Sequence, residues 1–234
     1  MKIKTAARLA LFVFLLSACK KEDANSFTYI RLKTITDERS GFSSTYYYDA
    51  SGRVTYIRSS NDAVHTFTYA GNCVNEHYTH TASNSDWTEC RELNPQGYYQ
   101  GSFGDDFIYN QDGYLHQILN YDSSQLTDIT TFTIVAGNLT DKADSSVGGT
   151  SSHHVYYEYD NSKLNTIGNE NHGMIFYGKS STHIVSRAIT VNHYGDTTAF
   201  NPDTCSFDGM NRVASKRTFN NLGGLIRHYT YTYY

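Results

Sequence analysis

The chain has 234 residues, 21 of them Tyr, 12 Phe and 17 Gly, with only 2 Pro. Its formal charge of −4 offers no electrostatic footprint for nucleic acid. Its length fits one undivided all-β domain. Beyond residue 40 strong helix formers are scarce, while Thr, Tyr, Val and Ile are common, and that composition favours strands. Tyr has an apolar body and a polar tip, so a Tyr-rich sheet can bury one face and wet the other.

Residues 1–19 read MKIKTAARLALFVFLLSAC. Lys2, Lys4 and Arg8 form a basic start, and Leu9 to Leu16 form an apolar stretch too short to span a bilayer. The ending Leu16-Ser17-Ala18-Cys19 resembles the bacterial lipobox, in which the Cys is acylated and the chain is cut before it. The expected organisation is a signal peptide over 1–18, acylated Cys19 with its tether over 19–27, and one β domain over 28–234. Each buried CH₂ contributes about 0.8 kcal/mol, so multiple acyl chains anchor stably. Cleavage leaves 216 residues and removes three positive charges, taking the formal charge from −4 to −7. The following Lys20, Lys21, Glu22 and Asp23 resemble the export signal of Bacteroidota surface lipoproteins, and equally suit a solvated tether. The implied location is the outer membrane, lipid-anchored and exposed at the cell surface.

From residue 46 a recurrent wording begins. YYYDASGRV (46–54) is echoed by LNPQGYY (93–99), YNQDGYL (109–115), FDGMNRV (207–213) and FNNLGGL (219–225). YDNSKL (159–164) is a shorter variant, and YAGNCV (69–74) and VAGNL (135–139) centre on Gly-Asn. Gly and Asn tolerate positive φ, and Asp and Asn bond to nearby amides, so each word reads as strand end, tight turn and strand start. The flanks HTFTYA, TTFTIVA and RHYTYTYY alternate with period two, as half-buried strands do. Polar stretches at 59–62, 83–86, 122–125 and 144–152 close the hairpins at the opposite end. Eight tight turns predict about sixteen strands in an extended, twisted antiparallel up-and-down meander, either a single curved sheet or an open barrel. Residues 160–182 break the rhythm and are expected to form an insertion packing over one end of the sheet.

The Y-D-x-x-G-R-[VL] wording resembles YD (RHS-like) repeats. The chain from about 28 to 234 resembles a family of Bacteroidota lipoproteins of unknown function built from such hairpins, with YEYDNSKLNTIG (157–168) and FYGKSSTHIVS (176–186) as the matching segments. The resemblance implies a β-hairpin fold and a surface location, and no chemistry.

Candidate chemistry is sparse. In NEHYTH, His77 and His80 are three apart on a strand and face opposite sides, which separates them as metal ligands. His153 and His154 diverge for the same reason, and Glu170 and His172 read as polar residues of a wet loop that could meet a cation. Of Cys73, Cys90 and Cys205, at most one pair can bridge. A turn centred near Asn84–Ser85 puts Cys73 opposite residue 96, so small buried hydrophobes are the expectation. Asp105, Asp106 and Asp203 are the carboxylates considered for a glycosidase pair. No nucleophile elbow, phosphate loop, dinucleotide fingerprint or zinc-protease motif occurs. Trp87 is the single Trp, and aromatic platforms of Trp or Tyr suit glycans. The sequence thus implies no catalytic residue, no metal and no cofactor. It reads as a non-enzymatic binding or scaffolding module with a glycan or protein ligand and no nucleic-acid partner. A lipid or lipoprotein carrier with a cavity in a curved sheet is the alternative, and a glycan hydrolase a further one.

Overall fold

Fifteen antiparallel strands follow one another in a computed structural model that describes residues 30–102, 104–148 and 152–234. Cys19 and residues 20–23 lie outside the described residues. The first six strands are β1 (Leu32–Asp37), β2 (Phe42–Tyr48), β3 (Val54–Ser59), β4 (Ala63–Ala70), β5 (Cys73–His80) and β6 (Ser85–Glu92). After a connection at 93–104 come β7 (Asp105–Tyr109), β8 (Leu115–Asp122), β9 (Gln125–Val135), β10 (Asn138–Ser146) and β11 (Ser152–Leu164). The remainder are β12 (His183–Val191), β13 (Thr197–Phe207), β14 (Val213–Phe219) and β15 (Leu225–Tyr233). They form one sheet in the order β6-β5-β4-β3-β2-β1-β15-β14-β13-β12-β11-β10-β9-β8-β7. The meander is as expected, with β1 joined to β15 at its middle and β6 and β7 at its edges. One expected turn is missing, for YDNSKL is no turn: β11 runs through it to Leu164, with register shifts after Glu158 and Asp160.

The Asp-x-x-Gly wording is a real device. Asp49 N–H donates to Arg53 O and Gly52 N–H to Asp49 O, both at 2.9 Å, while the Asp49 carboxylate accepts the Arg53 N–H at 2.9 Å. Gly52 sits at φ +77, where a β-carbon would also collide with the Arg31 guanidinium. The same pattern is built on Asn94, Asn110, Asn192, Asp208 and Asn220. One turn, at 192–196, is absent from the sequence reading, and in FDGMNRV the positive φ falls on Asn211.

Residues 165–182 seal one end, as an insertion there should. The segment passes along the rim of the sheet, taking backbone N–H bonds from the strand starts. Val213 N–H donates to Thr166 Oγ1 (2.9 Å), Leu32 to Asn171 O (3.1 Å), Val54 to Gly173 O (3.1 Å) and Tyr99 to Phe176 O (2.7 Å). Lys179 then donates to Gly113 O and Thr182 to Gly137 O, both at 2.9 Å. A flat sheet of this order would be about 67 Å wide at the usual strand spacing of ~4.8 Å. Yet only three residues, about 10 Å of chain at most, separate the bond beside β6 from the bond beside β8. The sheet is therefore curled, with its edges β6 and β7 brought side by side around the sealing segment. Gln100 stitches them at that end, donating to Glu92 O and accepting from Phe107 N–H, each at 3.0 Å. Strand pairing does not close the sheet into a barrel.

The core lies under this seal. Leu32, Val54, Val74 and Val213, each at or near a strand start, are fully buried, and Phe176 at 2% exposure fills the centre against Phe67 and Tyr69. Such side chains contribute about 1.5–3 kcal/mol each. Three copies of one clip hold the seal. Arg31, Arg53 and Arg212 lie over the rings of Tyr48, Tyr69 and Tyr233. Those three tyrosines donate their hydroxyls to the carbonyls of Leu32, Val54 and Val213, at 2.7, 2.8 and 2.7 Å. The N–H groups of the same three aliphatics face the seal. An aromatic, a turn and Arg-Val therefore recur together because each supplies one part of the clip.

Candidate functional site

Strand pairing assigns every side chain to a face. The face that meets the seal carries Ser44 and Tyr46 of β2, Ile57 and Ser59 of β3, His65 and Phe67 of β4, Glu76 of β5 and Arg91 of β6. Together with Met174 and Tyr177 of the seal they line a hollow of about 340 Å³. Glu76 is only 4% exposed. Its carboxylate takes both the Nε (2.7 Å) and a terminal nitrogen of Arg91, and His65 Nδ1 lies 2.6 Å from its other oxygen. Burial pushes this carboxyl up, but the bonds and charges of His65 and Arg91 outweigh burial and hold it below the usual range. Arg91 also faces the Tyr99 and Tyr177 rings at 5.4 and 5.9 Å, which ties β6 to the seal.

Two further hollows occupy the same face. One of about 370 Å³ is bounded by Asn120, Asp128, Thr130, Asp144 and His153. There Asp144 accepts from Thr130 Oγ1 at 2.6 Å and Lys142 Nζ at 2.9 Å. The other, about 280 Å³, holds Asp203, which accepts from Thr218 Oγ1 at 2.6 Å and pairs with Lys216 at 2.8 Å. The carboxylates of Asp144 and Asp203 are thus already satisfied by hydroxyls and ammonium groups.

The sequence-picked residues fare unevenly. His77 pairs with Asp86 at 2.9 Å on the outer face, whereas His80 bonds to Ser83 at 2.7 Å. His154 bonds to Asp141 on the outer face and His153 lines the 370 Å³ hollow, so both histidine pairs diverge as read. Glu170 and His172 do not converge: Glu170 Oε1 accepts the Ser180 N–H at 3.1 Å, and His172 packs on Tyr46 with Nε2 buried and unpaired. Burial pushes the His172 imidazole down to about 4. Among the described residues no group of three or more His, Cys, Asp or Glu is placed to hold a metal. Asp105 and Asp106 stand on β7 and Asp203 on β13, six strands away, so they form no pair. The cysteine reading needs correction. The turn after β5 centres on Thr81–Asn84, so Cys90 lies opposite Asn75, diagonal to Cys73, and the two are bridged with 5.7 Å between Cα atoms. Cys205 is the free thiol, and burial pushes it up to about 11.

Sequence reasoning did not single out Glu76 with His65 and Arg91 as a unit. The β4–β5 turn at Gly71-Asn72 places Glu76 opposite Phe67 and hence beside His65, so half of the cluster was within reach.

No protein-family model matches the chain, and no curated protein matches it. Solved structures share its fold, among them two porin-like proteins. A porin-like protein from Bacteroides uniformis matches with TM-score 0.57 at 15% identity, covering 88% of this chain and 98% of that one. A porin-like protein from Bacteroides vulgatus matches with TM-score 0.55 at 12% identity, covering 87% and 99%. At these identities the likeness is one of fold.

Proposed function

We propose that this chain is a lipid-anchored, non-enzymatic protein of the outer membrane, exposed at the cell surface, that binds a ligand on the concave face of its curled sheet. The observation that carries the reading is the 340 Å³ hollow between the seal and β2–β6, where aromatic walls meet a charge-balanced floor. Ligand sites are concave, largely apolar and carry a few fixed polar groups. The likeness to porin-like Bacteroides proteins supports an envelope location.

The outer face supports anchoring rather than spanning. Thr34, Thr36 and Thr45, with Arg58, Thr66 and His77, occupy outward positions where a membrane barrel needs an apolar band. β1 starts at the sealed end, 13 residues after Cys19, so a lipid on Cys19 would tether the domain through its sealed end. A lipid carrier needs a continuous apolar lining, and Asp144, Asp203 and Lys216 on this face favour a polar or amphipathic ligand instead.

The test is palmitate labelling with membrane fractionation. The native chain should label and sediment with outer membranes, and Cys19→Ala should do neither. A Cys19→Ala protein that remained labelled and membrane-bound would refute the anchor. Replacing Lys21, Glu22 and Asp23 with Ala should leave labelling intact while protecting the protein from protease added to whole cells. Equal cleavage of both forms would refute the export signal.

A further inference from the structure

An aromatic row runs out of the 340 Å³ hollow to the open edge of the sheet. Tyr78 of β5 is paired with His65 of β4 on one side and Trp87 of β6 on the other, and all three face inward. Tyr78 and Trp87 are stacked, 5.2 Å between centroids and 28° between planes, and Tyr78 lies 4.8 Å from His65. Trp87 is 41% exposed, and β6 is an edge strand that, among the described residues, has no ladder partner on its far side, where Gln100 bonds to it only at Glu92, at the sealed end. The row therefore offers a rigid aromatic surface at the rim, backed on one side and open on the other, while the seal is held by other residues.

The surroundings select the occupant. Glu89 stands beside Trp87 on the same face, with its side chain 37% exposed, and reaches Arg91 at 3.3 Å. Glu76, Arg91 and Glu89 leave no unpaired positive charge at the site, so an anionic ligand meets carboxylates there. A flat aromatic ring suits the C–H face of a pyranose, and the exposed Glu89 carboxylate and the serine hydroxyls of the hollow suit its hydroxyl groups. The hollow has room for one or two sugar rings.

We infer that the Trp87–Tyr78 surface and the adjoining hollow bind a neutral oligosaccharide, one ring stacked on Trp87 and the chain end held near Ser44 and Ser59. The inference rests on the concave-face reading above.

Trp87 is the only Trp, so tryptophan emission reports this site alone. The soluble chain is screened on an array of neutral and acidic glycans. Hits are then titrated by emission and calorimetry, with maltohexaose, cellohexaose and mannohexaose as defined neutral probes and polygalacturonate as the acidic one. A neutral glycan should shift the emission saturably. By calorimetry, Trp87→Ala should weaken binding about tenfold or more, and Trp87→Phe should stay within about threefold of native, both variants remaining folded by circular dichroism at the assay temperature. No neutral glycan bound, or full affinity in Trp87→Ala, overturns the inference. Polygalacturonate or a peptide perturbing Trp87 while neutral glycans do not overturns the ligand class and leaves the concave face as the binding face. Binding lost in the outer-face variant Tyr56→Ala but intact in Trp87→Ala overturns both readings.

Discussion

The hydroxyl of Tyr69 donates to the carbonyl oxygen of Val54 at 2.8 Å, while the Arg53 guanidinium lies 4.4 Å from the centroid of the same ring. Val54 is fully buried, so its carbonyl has no access to water once that hydroxyl is removed. Tyr69→Phe should cost about 1–3 kcal/mol, the penalty of an orphaned buried acceptor. Tyr47→Phe, on the exposed outer face, should change stability by less than about 0.5 kcal/mol. Urea unfolding of both variants decides it. Equal effects would mean that the clip contributes nothing.

The second prediction concerns Glu76. Arg91→Ala leaves its carboxylate buried without its principal partner and should cost about 3–5 kcal/mol. Replacing both residues, as Glu76→Leu with Arg91→Met, should cost far less, because no charge then remains inside. A double variant as unstable as Arg91→Ala would show that packing, not charge, holds this corner.

His172 predicts a pH dependence. Its folded pKa, about 4, lies below the ordinary 6.5, so the unfolded chain binds the proton more readily. Its contribution is therefore whole above pH 6.5 and is lost progressively as pH falls toward 4. Glu76, also lowered, adds to the loss only below the usual carboxylate range, so unfolding at pH 7 and pH 5 separates the two. The native protein should lose stability between these values and His172→Phe should lose less. Parallel losses would exonerate His172.

The Cys73–Cys90 bridge spans a sequence separation of 17 and should contribute about 3 kcal/mol through the unfolded chain. Cys73→Ser with Cys90→Ser should lower the thermal midpoint accordingly. In the native protein, Cys205 should resist iodoacetamide at pH 8, since its thiol is pushed up to about 11, and should react fully in urea. Rapid native alkylation would place that thiol outside the wall.

The turns were legible because their chemistry is local: Asp49, its Gly and its Arg all fall within five residues. The insertion showed as a gap in that rhythm. That it packs over one end of the sheet was expected; how it curls the sheet was not legible, because its bonds to Leu32, Val54 and Gly113 join residues far apart in the chain. The cysteines were misread for a narrower reason. Asn84, with φ +51, ends the β5–β6 turn instead of centring it, and that small shift of register moves Cys90 next to Cys73.

The pairing of β1 with β15 has a kinetic consequence. Leu32 meets Tyr233 across about 200 residues, whereas nearly every other ladder is a local hairpin. The arms β1–β6 and β7–β15 can each zip up from their own turns on the microsecond scale of hairpins. Joining them brings together the two strands most distant in the chain, a step that no short turn assists. Until β15 arrives, β1 presents a bare row of amides and carbonyls from Leu32 to Asp37, open to any other strand. The docking of β15 on β1 is therefore the expected last event of folding, and a chain halted before Leu225 should be left with that edge exposed.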